Sequence, residues 1–136
     1  MTDPMSEYEA SHGMSIYAAM GGESGLQAVV AAFYRHMADD ADLRELRVLH
    51  NDLAHAETRL FEFLSGRFGG PNLYWERHGH PRLRRRHMPF AIGAVERDQW
   101  LLGMQRALDE QAVNAELASV LMGFFTHIAH KMQNRA

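Results

Sequence analysis

No cysteine occurs among the 136 residues, which excludes a disulfide framework, a thiolate metal ligand and a cysteine-built zinc site. Charge interrupts every apolar series, so no window of 18 or more residues reads as a membrane span. No segment alternates polar and apolar residues as a half-buried strand does, and there is no internal repeat or low-complexity tract. Positive charge is missing where a secretory leader would need it, because Asp3, Glu7 and Glu9 stand there; a cytoplasmic protein is the expectation. Lysine is nearly absent: Lys131 is the single lysine beside thirteen arginines. The net charge of −3 argues against general nucleic-acid binding. What remains is enough chain for one domain, 46% apolar, which suffices for a sizeable core.

The chain is organised around the stretch from His78 to Phe90, His-Gly-His-Pro-Arg-Leu-Arg-Arg-Arg-His-Met-Pro-Phe. It holds three of the nine histidines, four arginines and two of the four prolines. Pro81 and Pro89 leave room between them for only about two turns of helix. His87 falls in the last of these turns. A neutral imidazole there can project outward as a metal ligand, with arginines beside it to meet anionic groups. The stretch reads as the proximal side of a haem site whose walls the rest of the chain must supply.

Residues 1–13 are polar without periodicity, and 1–14 read as a flexible lead-in to a domain over 15–136. Ser15 to Met20 reads as one or two helical turns stopped by Gly21-Gly22. Ser24-Gly-Leu-Gln27 fits a Ser-x-x-Gln capping pattern. Leu26, Val29, Val30, Phe33, Tyr34 and Met37 then mark one helix face in steps of three and four. From Asp39 to Asn51 a short helix and a turn are expected, with Asn51 or Asp52 capping the next helix. That helix carries Leu53, Ala56, Leu60, Phe63, Leu64 and Phe68, and Gly69-Gly70-Pro71 ends it. About fifteen residues with little periodicity follow, Tyr74, Trp75 and His78 among them; such a stretch either serves a site or is mobile. A helix from about Val95 presents Trp100, Leu101, Met104 and Leu108 on one face. Asn114 caps a last helix with Leu117, Val120, Leu121, Phe124, Ile128 and Met132 inward. Four substantial amphipathic helices in two pairs, with the His87 segment between the pairs, make an all-α bundle, and bundle interiors commonly hold cofactors.

Each candidate has a plainer reading. His87 could be a surface histidine after an arginine run; its place at a helix end, the apolar Met-Pro-Phe that follows and the lack of a rival cysteine favour ligation. A ligating imidazole donates its other N–H to a backbone carbonyl, and carbonyls one turn earlier, around Leu83, are candidates. Arg82, Arg84, Arg85 and Arg86 are a solvated run, or partners for the two propionates of a haem. Tyr34 and Trp100 are ordinary core aromatics, or an O–H and an indole N–H aimed at a bound ligand. Ala56, Leu60 and Phe63 bring no imidazole to the helix between them, so polar contact would fall to those two and His50. His127-x-x-His130 and His78-x-His80 have metal-like spacing but lack further ligands, and a solvated edge is the better reading.

Taken together, Gly-Gly-Pro71, Tyr74, the whole stretch His78–Phe90, Glu96-Arg-Asp-Gln-Trp100-Leu and Phe33-Tyr34 after a Gly-Gly turn resemble the truncated haemoglobins, specifically group II, the 2-on-2 globins of bacteria and plants. The resemblance runs from about Ser15 to about Met132. It implies a two-over-two helical sandwich around haem b, with His87 as the proximal iron ligand. Tyr34 and Trp100 match the distal tyrosine and the group II tryptophan, and Ala56 and Leu60 match positions over the haem. Arg59 and Arg86 match arginines that meet the propionates, with Tyr74 near that edge. Phe63, Phe90 and Met104 are expected as further cofactor contacts. A third distal position falls on His50 counting forward from Tyr34, and on Leu49 or Val48 counting back from Asp52. Gly103 stands where many relatives have cysteine, leaving slack near the distal pocket or merely at a helix contact.

Two functions follow from that resemblance. One is reversible binding of O2 and other diatomics, CO and NO among them, for transport or sensing. The other is a haem oxidoreductase that removes nitric oxide or peroxide, which needs an electron-donating reductase. A monomer and a homodimer are both compatible with either, and neither involves nucleic acid or a membrane span. A non-haem helical interaction domain is the remaining alternative.

Overall fold

The computed structural model describes residues 3–136. Its elements are α1 (Pro4–His12), α2 (Ile16–Ala19), α3 (Gly22–Asp39), a 3-10 turn (Ala41–Leu43), α4 (Arg44–Val48), α5 (Leu53–Arg67), α6 (Leu73–His78), α7 (Leu83–His87), α8 (Ala94–Glu110) and α9 (Ala115–Met132). No strand occurs among the described residues, and no helix is long and apolar enough to cross a membrane.

The four long helices follow from the apolar periodicity. Leu26, Val30, Phe33 and Met37 of α3 are all at most 1% exposed, as are Leu64, Met104, Leu108, Leu121 and Phe125 from the other three helices. Burying each such side chain contributes about 1.5–3 kcal/mol. The helices form a two-over-two sandwich. α3 packs on both α5 and α8, and α8 packs on α9, whereas α5 and α9 barely approach each other. Three sides of the sandwich are thus closed by packed side chains, and the fourth stays open between α5 and α9. The apolar stripe of α9 divides accordingly: Leu117, Leu121 and Phe125 are buried, while Phe124, Ile128 and Met132 face the opening.

Helix ends are set by side chains. Ser15 Oγ accepts from Ala18 N (3.0 Å), Asp52 Oδ1 from His55 N (3.1 Å) and Asn114 Oδ1 from Glu116 N (3.0 Å). Ser24, expected as a cap, instead lies inside the first turn of α3. Gly21, with φ of 99°, turns the chain directly out of α2, so the helix begins three residues earlier than the capping pattern suggests.

Two expectations are corrected here, and of the two readings of Gly103 the helix contact holds. The stretch read as a flexible lead-in is helical from Pro4 to His12; residues 1 and 2 of it lie outside the described residues. Pro4 pre-sets the first turn, Met5 is 3% exposed, and His12 Nε2 meets Glu116 Oε1 of α9 at 2.7 Å. Its single buried residue explains why no periodicity is visible. The irregular stretch after Gly70 contains α6, whose six residues are too few to display a period. Gly103 leaves no slack: a Cβ there would lie 3.0 Å from Phe33 and 3.1 Å from Leu43, at the contact of α8 with α3 and the 3-10 turn.

Two glycines make opposite predictions for stability. A Cβ on Gly25 would fall 1.8 Å from the Met20 carbonyl oxygen, a backbone atom that cannot swing aside. Gly25→Ala should therefore destabilise at the upper end of overpacking costs, about 3 kcal/mol. Gly123 in α9 has nothing within 4 Å of a built Cβ, so Gly123→Ala should stabilise by up to about 1 kcal/mol through helix propensity. Urea unfolding of both variants checks the pair, and a tolerated Gly25→Ala would show that α2 does not cross α3 this closely.

Candidate cofactor site

The open side of the sandwich is a cavity of about 410 Å³, within the size range of small-molecule and cofactor sites. Ala56, Leu60 and Phe63 of α5 form one wall, Phe124, Ile128 and Met132 of α9 the facing one. Tyr34 of α3 and Trp100 of α8 close the inner end, and α7 brings His87 to the lining. Of the expected contacts, Met104 alone is elsewhere. It is fully buried in the core, because its place four positions beyond Trp100 carries it along α8 into the contact with α3 and away from the opening.

His87 is the last residue of α7. Its Nδ1–H donates to the Leu83 carbonyl at 2.6 Å, the carbonyl one turn back that the sequence makes available. The tautomer is thereby fixed, and Nε2 keeps its lone pair for a metal. The loop beyond is clasped by a residue that sequence reasoning missed. Asn134, just past α9, donates through Nδ2 to the carbonyls of His87 (3.3 Å) and Phe90 (2.9 Å), and its Oδ1 accepts from Ile92 N (2.9 Å).

At the inner end Phe33 holds both neighbouring aromatics edge-on, Tyr34 at 5.0 Å and Trp100 at 5.6 Å between ring centroids. Among the described residues neither the Tyr34 hydroxyl nor the Trp100 indole N–H has a hydrogen-bond partner, yet no side-chain polar atom is sealed off without one. Both donors therefore face accessible space, and the cavity is the space they line. Burial, and secondarily the Glu57 carboxylate, push the Tyr34 phenol above its ordinary pKa, so it stays protonated and able to donate. The two ways of counting the third distal position resolve to neighbours: His50 and Leu49 both line the cavity, while Val48 is 77% exposed. His50 Nδ1 donates to the Leu46 carbonyl at 3.0 Å, and its ring lies 6.2 Å from that of Tyr34.

Arg59, Arg86 and Tyr74 line the mouth, with Phe90 41% exposed beside them. The Arg86 guanidinium sits over the Tyr74 ring at 5.6 Å and, among the described residues, has no carboxylate partner. Arg59 Nη1 lies 3.3 Å from Glu62 Oε1. Glu62, a buried carboxylate outside the apolar stripe of α5, was invisible to a reading built on periodicity. His78, read as solvated, binds that same carboxylate at 3.0 Å. His130 Nδ1 is occupied by the Thr126 carbonyl at 2.9 Å.

An imidazole with its outer nitrogen free, an apolar slot, guanidinium groups at the mouth and two unpartnered donors at the inner end are what a haem and a small ligand require. The profile of the bacterial-like globin family matches residues 15–134. The chain belongs to that family. The globin is 36% identical to the group 2 truncated hemoglobin of Bacillus subtilis (strain 168) over 114 residues, 84% of this chain and 85% of that one. Among solved structures it resembles the cold-adapted truncated hemoglobin of the Antarctic marine bacterium Pseudoalteromonas haloplanktis TAC125, with 41% identity, a TM-score of 0.86, and 90% and 99% of the two chains covered. It also resembles the group II 2-on-2 hemoglobin of the plant pathogen Agrobacterium tumefaciens, with 39% identity, a TM-score of 0.87, and 90% and 96% covered. This is a truncated globin of group II, a haem protein that takes diatomic ligands.

His50 supplies a pH test. Burial is the largest influence on it and holds its pKa below the ordinary 6.5; the Arg47 guanidinium acts in the same sense, and the Leu46 hydrogen bond opposes them. The unfolded chain therefore takes up the proton first as pH falls below about 6.5. Stability that is complete above that value should decline as pH falls, and His50→Leu should flatten that decline. Urea unfolding at a series of pH values between 7.5 and 5 measures both slopes; equal slopes would mean that His50 is as accessible to protons in the fold as in the unfolded chain.

Proposed function

We propose that this globin holds haem b through His87 Nε2 and reversibly binds O2, with CO and NO as alternative ligands. The observation that carries the reading is the pair of unpartnered donors, the Tyr34 hydroxyl and the Trp100 indole N–H, on the same cavity as the free nitrogen of His87. Haem, when bound, would supply an iron that takes a diatomic ligand. The chain's own residues then do three things. His87 is pre-oriented by Leu83, so ligation does not have to order it. Tyr34 and Trp100 would offer their O–H and N–H donors to such a ligand, between the apolar walls of α5 and α9. Arg59 and Arg86 offer guanidinium groups to the carboxylates of the cofactor at the mouth.

His50 favours a second reading, turnover of nitric oxide or peroxide with electrons from an external reductase. A histidine at the ligand end can hold or pass a proton at Nε2, which simple O2 binding does not need. Anaerobic reduction followed by mixing with O2, NO and peroxide separates release from turnover.

Replacing His87 with glycine should remove the imidazole–iron bond and weaken haem retention. A reduced His87→Gly protein that keeps a five-coordinate imidazole spectrum would point to another histidine. A hydrogen bond to a charged group contributes roughly 1.5–3 kcal/mol, one to two powers of ten in a rate. Tyr34→Phe and Trp100→Phe should each speed O2 release by up to that factor and CO release by less, with effects that are not additive in the double variant. Stopped-flow release from all four proteins tests this. Equal acceleration of O2 and CO would make the two side chains a steric gate.

A further inference from the structure

Glu62 lies on α5 three residues beyond Arg59 and is 2% exposed. A carboxylate so placed ionises only if cations and hydrogen-bond donors surround it, and two arginines and a histidine do. Arg77 of α6 donates to Oε2, His78 of α6 reaches Oε1 at 3.0 Å, and Arg59 reaches the same oxygen at 3.3 Å. Burial raises the Glu62 pKa, yet the bonds from Arg77, His78 and Arg59 outweigh it and hold the carboxyl below its usual value.

Two features make this more than a link between helices. Arg59 gives Glu62 one guanidinium nitrogen while its half-exposed side chain lines the cavity mouth, so its other N–H groups remain for something there. The chain of contacts also continues past α6. The His78 ring lies 4.8 Å from that of Tyr74, and Arg86 of α7 lies over Tyr74. The mouth's two arginines, on α5 and α7, are thus both set against α6, which Glu62 helps hold to α5 alongside the direct contact of Arg59 with His78.

We infer that Glu62 is the positioning residue of the cofactor's anionic edge: it aligns Arg59 directly, and Arg86 through His78 and Tyr74, so that both guanidinium groups meet the haem carboxylates already ordered. This rests on the haem reading given above. Arginine's fork recognises a carboxylate well only when its plane is set, and buried outer partners commonly perform that setting around a cofactor.

The test is haem transfer from the intact holoprotein to an excess of apomyoglobin at low salt. Glu62→Gln keeps the shape and removes the charge, and should speed haem loss roughly two- to tenfold, the range expected for loosening two partly exposed ion pairs. The acceleration should disappear in an Arg59→Ala/Arg86→Ala background. It should also disappear when wild type and Glu62→Gln are loaded with haem dimethyl ester, which offers no carboxylate. Glu62→Asp, which keeps the charge but retracts it by one methylene, should fall between wild type and Glu62→Gln and serves where the neutral variant folds poorly. Acceleration that persists with the ester, or in the arginine-free background, would make Glu62 a purely structural residue and overturn the inference. So would an unchanged loss rate in Glu62→Gln. If the double arginine variant itself loses haem at the wild-type rate, the arginine assignment at the mouth falls, and this inference with it, while ligation by His87 stands or falls on its own spectrum.

Discussion

Everything at the site depends on two apolar helix faces that do not meet. α3, α5, α8 and α9 close three sides of a sandwich by ordinary side-chain packing, but α5 and α9 stand apart with Leu60 and Phe63 facing Phe124, Ile128 and Met132. Space of about 410 Å³ kept dry between such walls would cost on the order of 10 kcal/mol, at roughly 24 cal/mol per Å³. That equals the net stability of an entire domain. A flat apolar occupant is therefore structural as well as functional: it completes the core, and its binding free energy is folding free energy.

Polarity inside this slot is placed by the backbone. His87 and His50 each donate Nδ1–H to the carbonyl four residues back, Leu83 and Leu46. One geometric device, used at two helix ends on opposite sides of the cavity, thus leaves Nε2 as the free nitrogen of both rings. Phe33 does comparable work without hydrogen bonds, presenting its ring edge-on to both Tyr34 and Trp100. The donors are fixed by packing, so they need little reorganisation to meet a ligand.

Much of this was legible in the sequence. The four long helices follow from three- and four-residue apolar spacing, and Tyr34, Trp100, Leu60 and Phe63 were placed by the faces they share. The two prolines around His87 bounded its short helix, and the Leu83 carbonyl was within reach by helical arithmetic alone. Illegible features had little or no period to show. α1 buries only Met5, and α6 spans fewer than two turns. Asn134 acts through partners 42 to 47 positions away, and Glu62, beside its local partner Arg59, depends on Arg77 and His78, 15 and 16 positions on. Met104 failed for a different reason. It shares a stripe with Trp100, but a stripe wide enough to cover both a core and a cavity does not say where one ends and the other begins.

Asn134 carries a consequence for how the protein comes into being. The loop after His87 is fastened by a side chain 47 residues further on, beyond the whole of α8 and α9. A chain emerging from the ribosome therefore presents the histidine long before it presents the clasp, and the other wall of the slot arrives only with α9. The slot is complete only once the last helix docks, so its second wall and the clasp on the His87 loop come together at the end of the chain's synthesis.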